Sequence, residues 1–359
     1  MKKYLLPIFL LFANAAFAVH EYQLELDRSF KVDLPSRCNK LKVLDMRLDK
    51  DNMGYLSEGA FNRIGLIRTR TPLDQALTLY FNDIQAGNKK GDDELLLVLR
   101  QIKIEDRPNG EEIGTFYFDG DFFAGKSGEY KFIGTLDTLI EVNAGMDVSK
   151  RLIEMVRFQI PTILTKFSSL SQGINPQVYT EITATEKRKQ EKMQYAIYKT
   201  EDFKKGIYYT VDQFLANEPI DSPFVKDVFL LQGGNSNRKV INFYYPNKKG
   251  KKGERIKDED FFAVYDGKSW YLSSHPYCIM MYYKDGDFYA NKSFRGLVGN
   301  GGVMAAGIVG AAAGGIIVGA IAGGIAGAVA NGRDDKTIWS VYYSRFDPVT
   351  KVFKPITRK

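Results

Sequence analysis

The chain has 359 residues, 44% hydrophobic and 26% charged, with 50 Lys and Arg against 43 Asp and Glu and a formal net charge of +7. That balance suits folded domains and excludes wholesale disorder, and 33 glycines without a three-residue period exclude a collagen-like fibre. Two cysteines and two histidines exclude a disulfide-dense scaffold and a His-rich or multi-cysteine metal module, so no metal or other cofactor is expected.

The first residues read as an export signal. Lys2 and Lys3 precede an apolar run, and Ala16-Phe17-Ala18 supplies a small-x-small cleavage site, so cleavage is expected after Ala18. The apolar run is too short to span a bilayer, and no cysteine follows it to carry a lipid. The expected address is the periplasm or the outer membrane. Without residues 1–18 two lysines and no acids are lost, leaving 48 cations against 43 anions, or +5. Such a mild surplus, in an exported protein, argues against nucleic acid or nucleotide as the partner.

Residues 41–48 read as a strand. Thr71-Pro72-Leu73-Asp74 then opens a helix: Thr71 caps, Pro72 suits the first helical position and Asp74 complements the positive end. Leu73, Ala76, Leu77, Tyr80, Phe81 and Ile84 follow at helical spacing, with Gly87 as a stop. Residues 95–104 read as a central strand, 115–123 as its hairpin partner after Asn109-Gly110, and 129–142 as a third strand. Asp147 can cap a second helix carrying Leu152, Val156, Ile160, Ile163 and Phe167, in which Pro161 is a kink signal. This part, 19–170, is expected to be a small sheet with two packed helices.

The order of these elements, with Val43-Leu44-Asp45-Met46-Arg47, the helix from Pro72 and the final helix after Asp147, resembles the periplasmic α+β domains typified by the N-terminal domain of TolB and by YajG-type lipoproteins. The resemblance is topological and implies a binding or assembly role without catalysis. The missing lipobox departs from the lipoprotein members.

Residues 171–194, with their charge run at 186–192, read as a linker. From 195 to 359 the texture is short aromatic strands, with a short helix at 211–216 and hairpin turns at Asp266-Gly267 and Asp285-Gly286. The whole expectation is therefore α+β: the small sheet with its helices, then a mostly antiparallel β domain interrupted at 296–332. Segments of this kind resemble secreted bacterial proteins, a likeness that supplies no activity.

Residues 296–332 contain no charge, 13 glycines and 10 alanines. Gly315, Gly319, Gly323 and Gly327 make three overlapping GxxxG steps, and Gly307 with Ala311 extends the ladder. Positions four apart share a helix face, and bare faces let two helices approach closely. Each interior glycine costs a helix in water about 0.8–1.0 kcal/mol relative to Ala. In lipid the helix is the state that satisfies the backbone. The segment resembles the glycine-zipper two-helix element of Gram-negative envelope proteins, which implies contact with membrane lipid, an envelope protein or a second copy of the chain. Three geometries stay open: one spanning helix, a helical hairpin turning near Gly314-Gly315, and a hairpin packed on protein.

Other signals are weaker. Gly120-Asp121-Phe122-Phe123-Ala124-Gly125-Lys126-Ser127 spells a P-loop, but Asp121 places negative charge at the phosphate position and a β-patterned run follows where a helix is required. It reads as a hairpin turn. Asp49-Lys50-Asp51-Asn52-Met53-Gly54 starts like an EF-hand loop, but Ala60 stands where a bidentate Glu is required. His275 and Cys278 lack a third orienting group, and Cys278 reads either as a buried thiol or as the disulfide partner of Cys38. Lys248, Lys249, Lys251, Lys252, Arg255 and Lys257 crowd a single loop, either as a solvated turn or as a contact for anionic headgroups. No residue stands out as catalytic.

Overall fold

The computed structural model describes residues 20–26, 36–58, 63–85, 89–109, 111–143, 148–170, 177–220, 223–233, 236–257, 260–274, 278–298, 303–306, 336–349 and 351–358. The expected signal peptide, residues 1–18, lies outside them.

The protein is mostly β, and this corrects the expectation of a small sheet with two packed helices. Its strands form three sheets, two of which curl into half-barrels, and four α-helices are present among the described residues. The first sheet has nine strands. β1 (His20–Gln23), β2 (Ser36–Asp45), β3 (Gly54–Glu58) and β4 (Arg63–Arg68) precede helix α1 (Leu73–Gln85). Three long strands follow: β5 (Lys89–Asn109), β6 (Glu111–Lys126) and β7 (Glu129–Asn143). Helix α2 (Val148–Ser169) retains Pro161 inside it, and β8 (Val178–Tyr179) pairs with the start of β7. The order is β1-β4-β3-β5-β6-β7, with β2 running parallel to the first half of β5. Three of these strands escape a reading of hydrophobic pattern because β1, β3 and β4 are short and mix charged with apolar residues.

Alternation along the long strands assigns each residue a face. Leu95, Leu97 and Leu99 point to the helices α1 and α2, together with Phe116, Phe118 and Phe122. Leu96 and Val98 point the other way, to a second cluster with Phe123 and Tyr130. All five residues of the 95–99 run are buried, as a continuous apolar run demands when both faces of a strand are covered. Phe122 stacks on Phe167 of α2 at 3.7 Å and 7°.

The second face is covered by helix α3 (Glu181–Lys192), which occupies the stretch expected as linker. Thr180 caps it through a reciprocal pair of bonds with Thr183. Its charge run is not uniformly solvated: Lys187 is buried with its ammonium 4.0 Å from the centre of the Phe132 ring.

After the 3₁₀ turn Ala196–Tyr198 come β9 (Gly206–Tyr208), helix α4 (Val211–Ala216), β10 (Val225–Gly233), β11 (Ser236–Pro246), β12 (Lys252–Ile256), β13 (Ala263–Tyr265), β14 (Trp270–Leu272), β15 (Ile279–Lys284) and β16 (Asp287–Val298). β17 (Val303–Ala306), β18 (Lys336–Asp347) and β19 (Val352–Arg358) complete the chain. The seven-stranded sheet runs β19-β18-β16-β15-β14-β13-β9, and its core packs Phe214 of α4 among Tyr208, Trp270, Phe288 and Phe346. The three-stranded sheet β10-β11-β12 covers its other face through Ile241, Phe243 and Ile256 against Val264, Tyr271 and Cys278.

The expected helical insertion also changes at its beginning. Residues 296–298 end β16, and β17 joins the first sheet by antiparallel pairing with β7, from Val303 opposite Val142 to Ala306 opposite Leu139. An available sheet edge gives these residues a ladder that a glycine-rich helix in water would not match. Residues 307–335 lie outside the described set, and with them Gly307, Gly315, Gly319, Gly323 and Gly327. No helix among the described residues is long and apolar enough to cross a membrane.

Candidate functional site

The second face of the first sheet carries an ionic cluster that pattern reading misses. Phe116, Phe118 and Phe122 of β6 face the helices, so Tyr117, Asp119 and Asp121 face away from them. On β7 the same alternation turns Leu136 and Ile140 toward the helices and Thr135 and Asp137 toward the cluster. Asp119 lies directly opposite Asp137, and Asp121 opposite Thr135. Both Asp119 and Asp121 are 0% exposed.

Cations reach them from three parts of the chain. Arg100 is the extra residue of a bulge in β5, between Leu99 opposite Gly120 and Gln101 opposite Asp119. Its Nε donates to Asp121 Oδ2 at 2.9 Å, and its Nη2 donates to the Thr185 carbonyl of α3 at 3.1 Å. Arg188 of α3 donates from Nη1 to Asp119 Oδ2 at 2.9 Å and from Nε and Nη2 to Asp121 Oδ1 at 3.1 and 3.0 Å. Arg345 of β18 donates from Nη2 to Asp119 Oδ2 at 2.8 Å and to Asp137 Oδ2 at 3.4 Å. Lys354 of β19 stands 3.6 Å from Asp137 and 2.7 Å from Asp347. Two hydroxyls complete the set: Thr135 donates to Asp121 at 2.6 Å and Tyr117 to Asp137 at 2.8 Å. Nearby, Lys192 of α3 bonds Asp287 of β16.

Four carboxylates thus meet four cations, and the partners come from the nine-stranded sheet, the seven-stranded sheet and helix α3. Burial alone would raise the Asp119 carboxyl, but Arg188 and Arg345 hold it well below the usual carboxylate range. Asp121 is likewise lowered, with Arg188 and Arg100 overcoming burial. Asp137 goes the other way: burial and the neighbouring Asp119 raise it, against Lys354 and Arg345. Burial, Asp137 and Asp119 push the Tyr117 hydroxyl well above its ordinary value. Each carboxylate is occupied by cations or hydroxyls of this same chain, so the arrangement acts as a clasp between sheets rather than as an acid–base pair open to a substrate.

The structure separates the residues that the sequence put forward. Cys38 and Cys278 are both buried and reduced, in different apolar clusters, so the disulfide alternative does not form. The P-loop spelling is the end of β6 and a two-residue hairpin turn, with Ser127 at φ 55° and Gly128 at φ 84°. The EF-hand-like stretch is a turn held by Asp49 Oδ1, which accepts from the Asp51 and Asn52 amides, and stapled from inside by Arg47 on Asp45 and on the Lys50 carbonyl. Among the described residues no group of three or more His, Cys, Asp or Glu side chains is arranged to hold a metal ion. Lys248, Lys249, Lys251, Lys252 and Arg255 lie in and beside the β11–β12 turn, exposed.

No protein-family model matches the chain, and no curated protein matches it. A solved structure described as "Crystal structure of uncharacterized protein" aligns over 42% of this chain and 97% of its own length, at 13% identity and a TM-score of 0.25. Likeness at that level carries no argument.

Proposed function

We propose that the chain is a non-catalytic, exported cell-envelope protein that attaches to a membrane, or to copies of itself, through the uncharged Gly/Ala-rich insertion, while its N-terminal domain binds an envelope partner. The observation that carries this reading is the register of β16 with β18. The two strands pair without interruption from Tyr289 opposite Arg345 to Val298 opposite Lys336. Chain leaving at 298 therefore returns at 336 beside its point of departure. That closure suits an element that emerges and comes back, and it disfavours a single crossing, which would strand β18 and β19 on the far side. A contact point for the partner is the loop between β2 and β3, where the Arg47–Asp45 pair fixes the backbone and Leu48 is 103% exposed beside Met46.

Deleting 307–335 and closing the gap with a short turn tests the reading. The full chain is expected to co-float with membranes and to resist carbonate extraction, and the deleted chain to stay soluble. Soluble behaviour of both overturns attachment.

A second reading is favoured by β17. Its pairing with β7 draws the first part of the insertion into the protein's own sheet, as expected of a soluble periplasmic binding or assembly module with the rest packed internally. That module would be a detergent-independent monomer in size-exclusion chromatography.

A further inference from the structure

We propose that the β11–β12 turn is a docking surface for the anionic headgroups of a phospholipid bilayer. The inference rests on the reading that the protein works at a membrane, and it names the surface chemistry that membrane must offer. Residues 246–257 carry six cations, Lys248, Lys249, Lys251, Lys252, Arg255 and Lys257, and a single acid, Glu254. Their surplus of five equals the net surplus of the chain without residues 1–18, so the remainder of that chain, which includes the acids Asp258, Glu259 and Asp260 directly after this stretch, sums to zero. All six cationic residues are exposed.

The turn is built rather than loose. The Asn247 amide donates to the Lys251 carbonyl at 2.8 Å, and the Gly250 amide donates to the Asn247 carbonyl at 2.8 Å with Gly250 at φ 69°. Asn247 Oδ1 accepts from the amides of Lys249 and Lys251 at 2.9 and 3.1 Å, and its Nδ2 donates to the Lys252 carbonyl at 3.2 Å. One asparagine therefore fixes the backbone from which the lysines radiate. Lys252 is tethered to Asp227 at 2.5 Å, with its ammonium 5.7 Å from the Tyr244 ring centre, which anchors the base of the hairpin and leaves the tip to solvent. Beside it Tyr245 is half-exposed, its hydroxyl 2.9 Å from that of Tyr209, an aromatic flank of the kind that sits at headgroup depth. A fixed concentration of positive charge on an otherwise neutral protein orients it toward an anionic plane.

The test is co-sedimentation of the full chain with vesicles of phosphatidylcholine alone and of phosphatidylcholine mixed with phosphatidylglycerol. The triple variant Lys248→Gln, Lys249→Gln, Lys251→Gln is run beside it, as is the chain lacking 307–335. Exposed lysines at a turn are replaceable without unfolding, and circular dichroism checks this. Binding of the parent chain is expected to prefer the anionic vesicles and to weaken with salt, and the triple variant is expected to lose about a hundredfold on them. Equal binding by parent and triple variant overturns the inference, and if the deletion then abolishes binding, attachment through the insertion still stands. Loss in the triple variant with the deletion unaffected supports the docking surface and removes the insertion from membrane attachment. Capture of the parent by soluble polyphosphate with no vesicle binding overturns the bilayer as the occupant.

Discussion

Asp119 and Asp137 stand directly opposite each other on adjacent antiparallel strands, on the face where α3, β18 and β19 supply their cations. Like charges in that position oppose sheet pairing. The fold resolves the conflict unevenly. Asp119 is held ionised by two arginines from distant parts of the chain, whereas Asp137 is pushed toward its protonated form by burial and by Asp119 itself.

That asymmetry predicts unequal effects of two matched substitutions. Asp119→Asn leaves Arg188 and Arg345 short of a buried counter-charge and is expected to cost about 3–5 kcal/mol. Asp137→Asn keeps an acceptor for the Tyr117 hydroxyl and removes a charge that burial disfavours, so it is expected to cost less than about 1 kcal/mol. Urea midpoints at neutral pH decide this, and equal losses would contradict the asymmetry.

Acid should loosen the same junction. Asp119 and Asp121 have folded values below the ordinary carboxylate value of about 3.9. On acidification the unfolded chain takes up their protons first. Their contribution is complete above about pH 4 and is lost as pH falls through the lower folded values. Asp137, being raised, has the opposite sign: it favours the folded state at low pH, and that contribution fades as pH rises through its folded value. Net stability is expected to fall below about pH 4, with a shallower fall in Asp119→Asn. A flat urea midpoint from neutral pH down to acid would contradict the linkage.

Arg345→Met should detach the seven-stranded sheet locally from the first sheet. The arginine donates to both opposed aspartates, and β18 and β19 have no other arginine among the cations of the cluster. Hydrogen exchange is expected to accelerate in β19 and in α3 before it does in α1. A double-mutant cycle with Asp119→Asn is expected to show coupling of about 1 kcal/mol or more. Exchange confined to β18 would mean that the arginine is only a local brace.

Much of the frame is readable from local pattern. Thr71-Pro72-Leu73-Asp74 announces α1, the unbroken run at 95–99 announces a strand covered on both faces, and Asp285-Gly286 is a turn with both residues at positive φ. The junction is not readable in that way. Arg345 and Asp119 are 226 residues apart, and no periodicity links them. The charge run of α3 reads as solvated because nothing local neutralises Arg188; its counter-charges sit on another strand. The available signal was in β6 itself, where Asp119 and Asp121 interrupt an aromatic strand at alternate positions and so must share one face.

The two thiols should be silent in the native state. Burial, with Asp93 nearby, pushes the Cys38 thiol up to about 12, which leaves almost no thiolate at neutral pH. Cys278 is 5% exposed. A colorimetric thiol reagent is expected to label neither until urea is added, and then to label two per chain, with dithiothreitol leaving the urea midpoint unchanged. A fall of the roughly 2–5 kcal/mol that a native disulfide supplies would contradict reduced thiols.

The P-loop spelling makes its own prediction, because a phosphate cradle and a hairpin turn place demands on different residues. In a cradle Lys126 would be indispensable; here it is exposed and stands 3.6 Å from the exposed Asp92 and 3.7 Å from the buried Asp93. Lys126→Ala is therefore expected to change stability by less than about 0.5 kcal/mol. Gly125 is the demanding position. A Cβ there would sit 1.8 Å from the Glu129 carbonyl oxygen and 2.7 Å from Tyr130 Cα, both backbone atoms of the paired strand that cannot rotate away. Gly125→Ala must push β6 and β7 apart at the turn and is expected to cost about 2 kcal/mol or more. Gly128, with φ 84° and open space around it, should lose only about 1 kcal/mol on the same change. Urea midpoints ranked Gly125→Ala, then Gly128→Ala, then Lys126→Ala fit a turn, whereas nucleotide binding that Lys126→Ala abolished would overturn it.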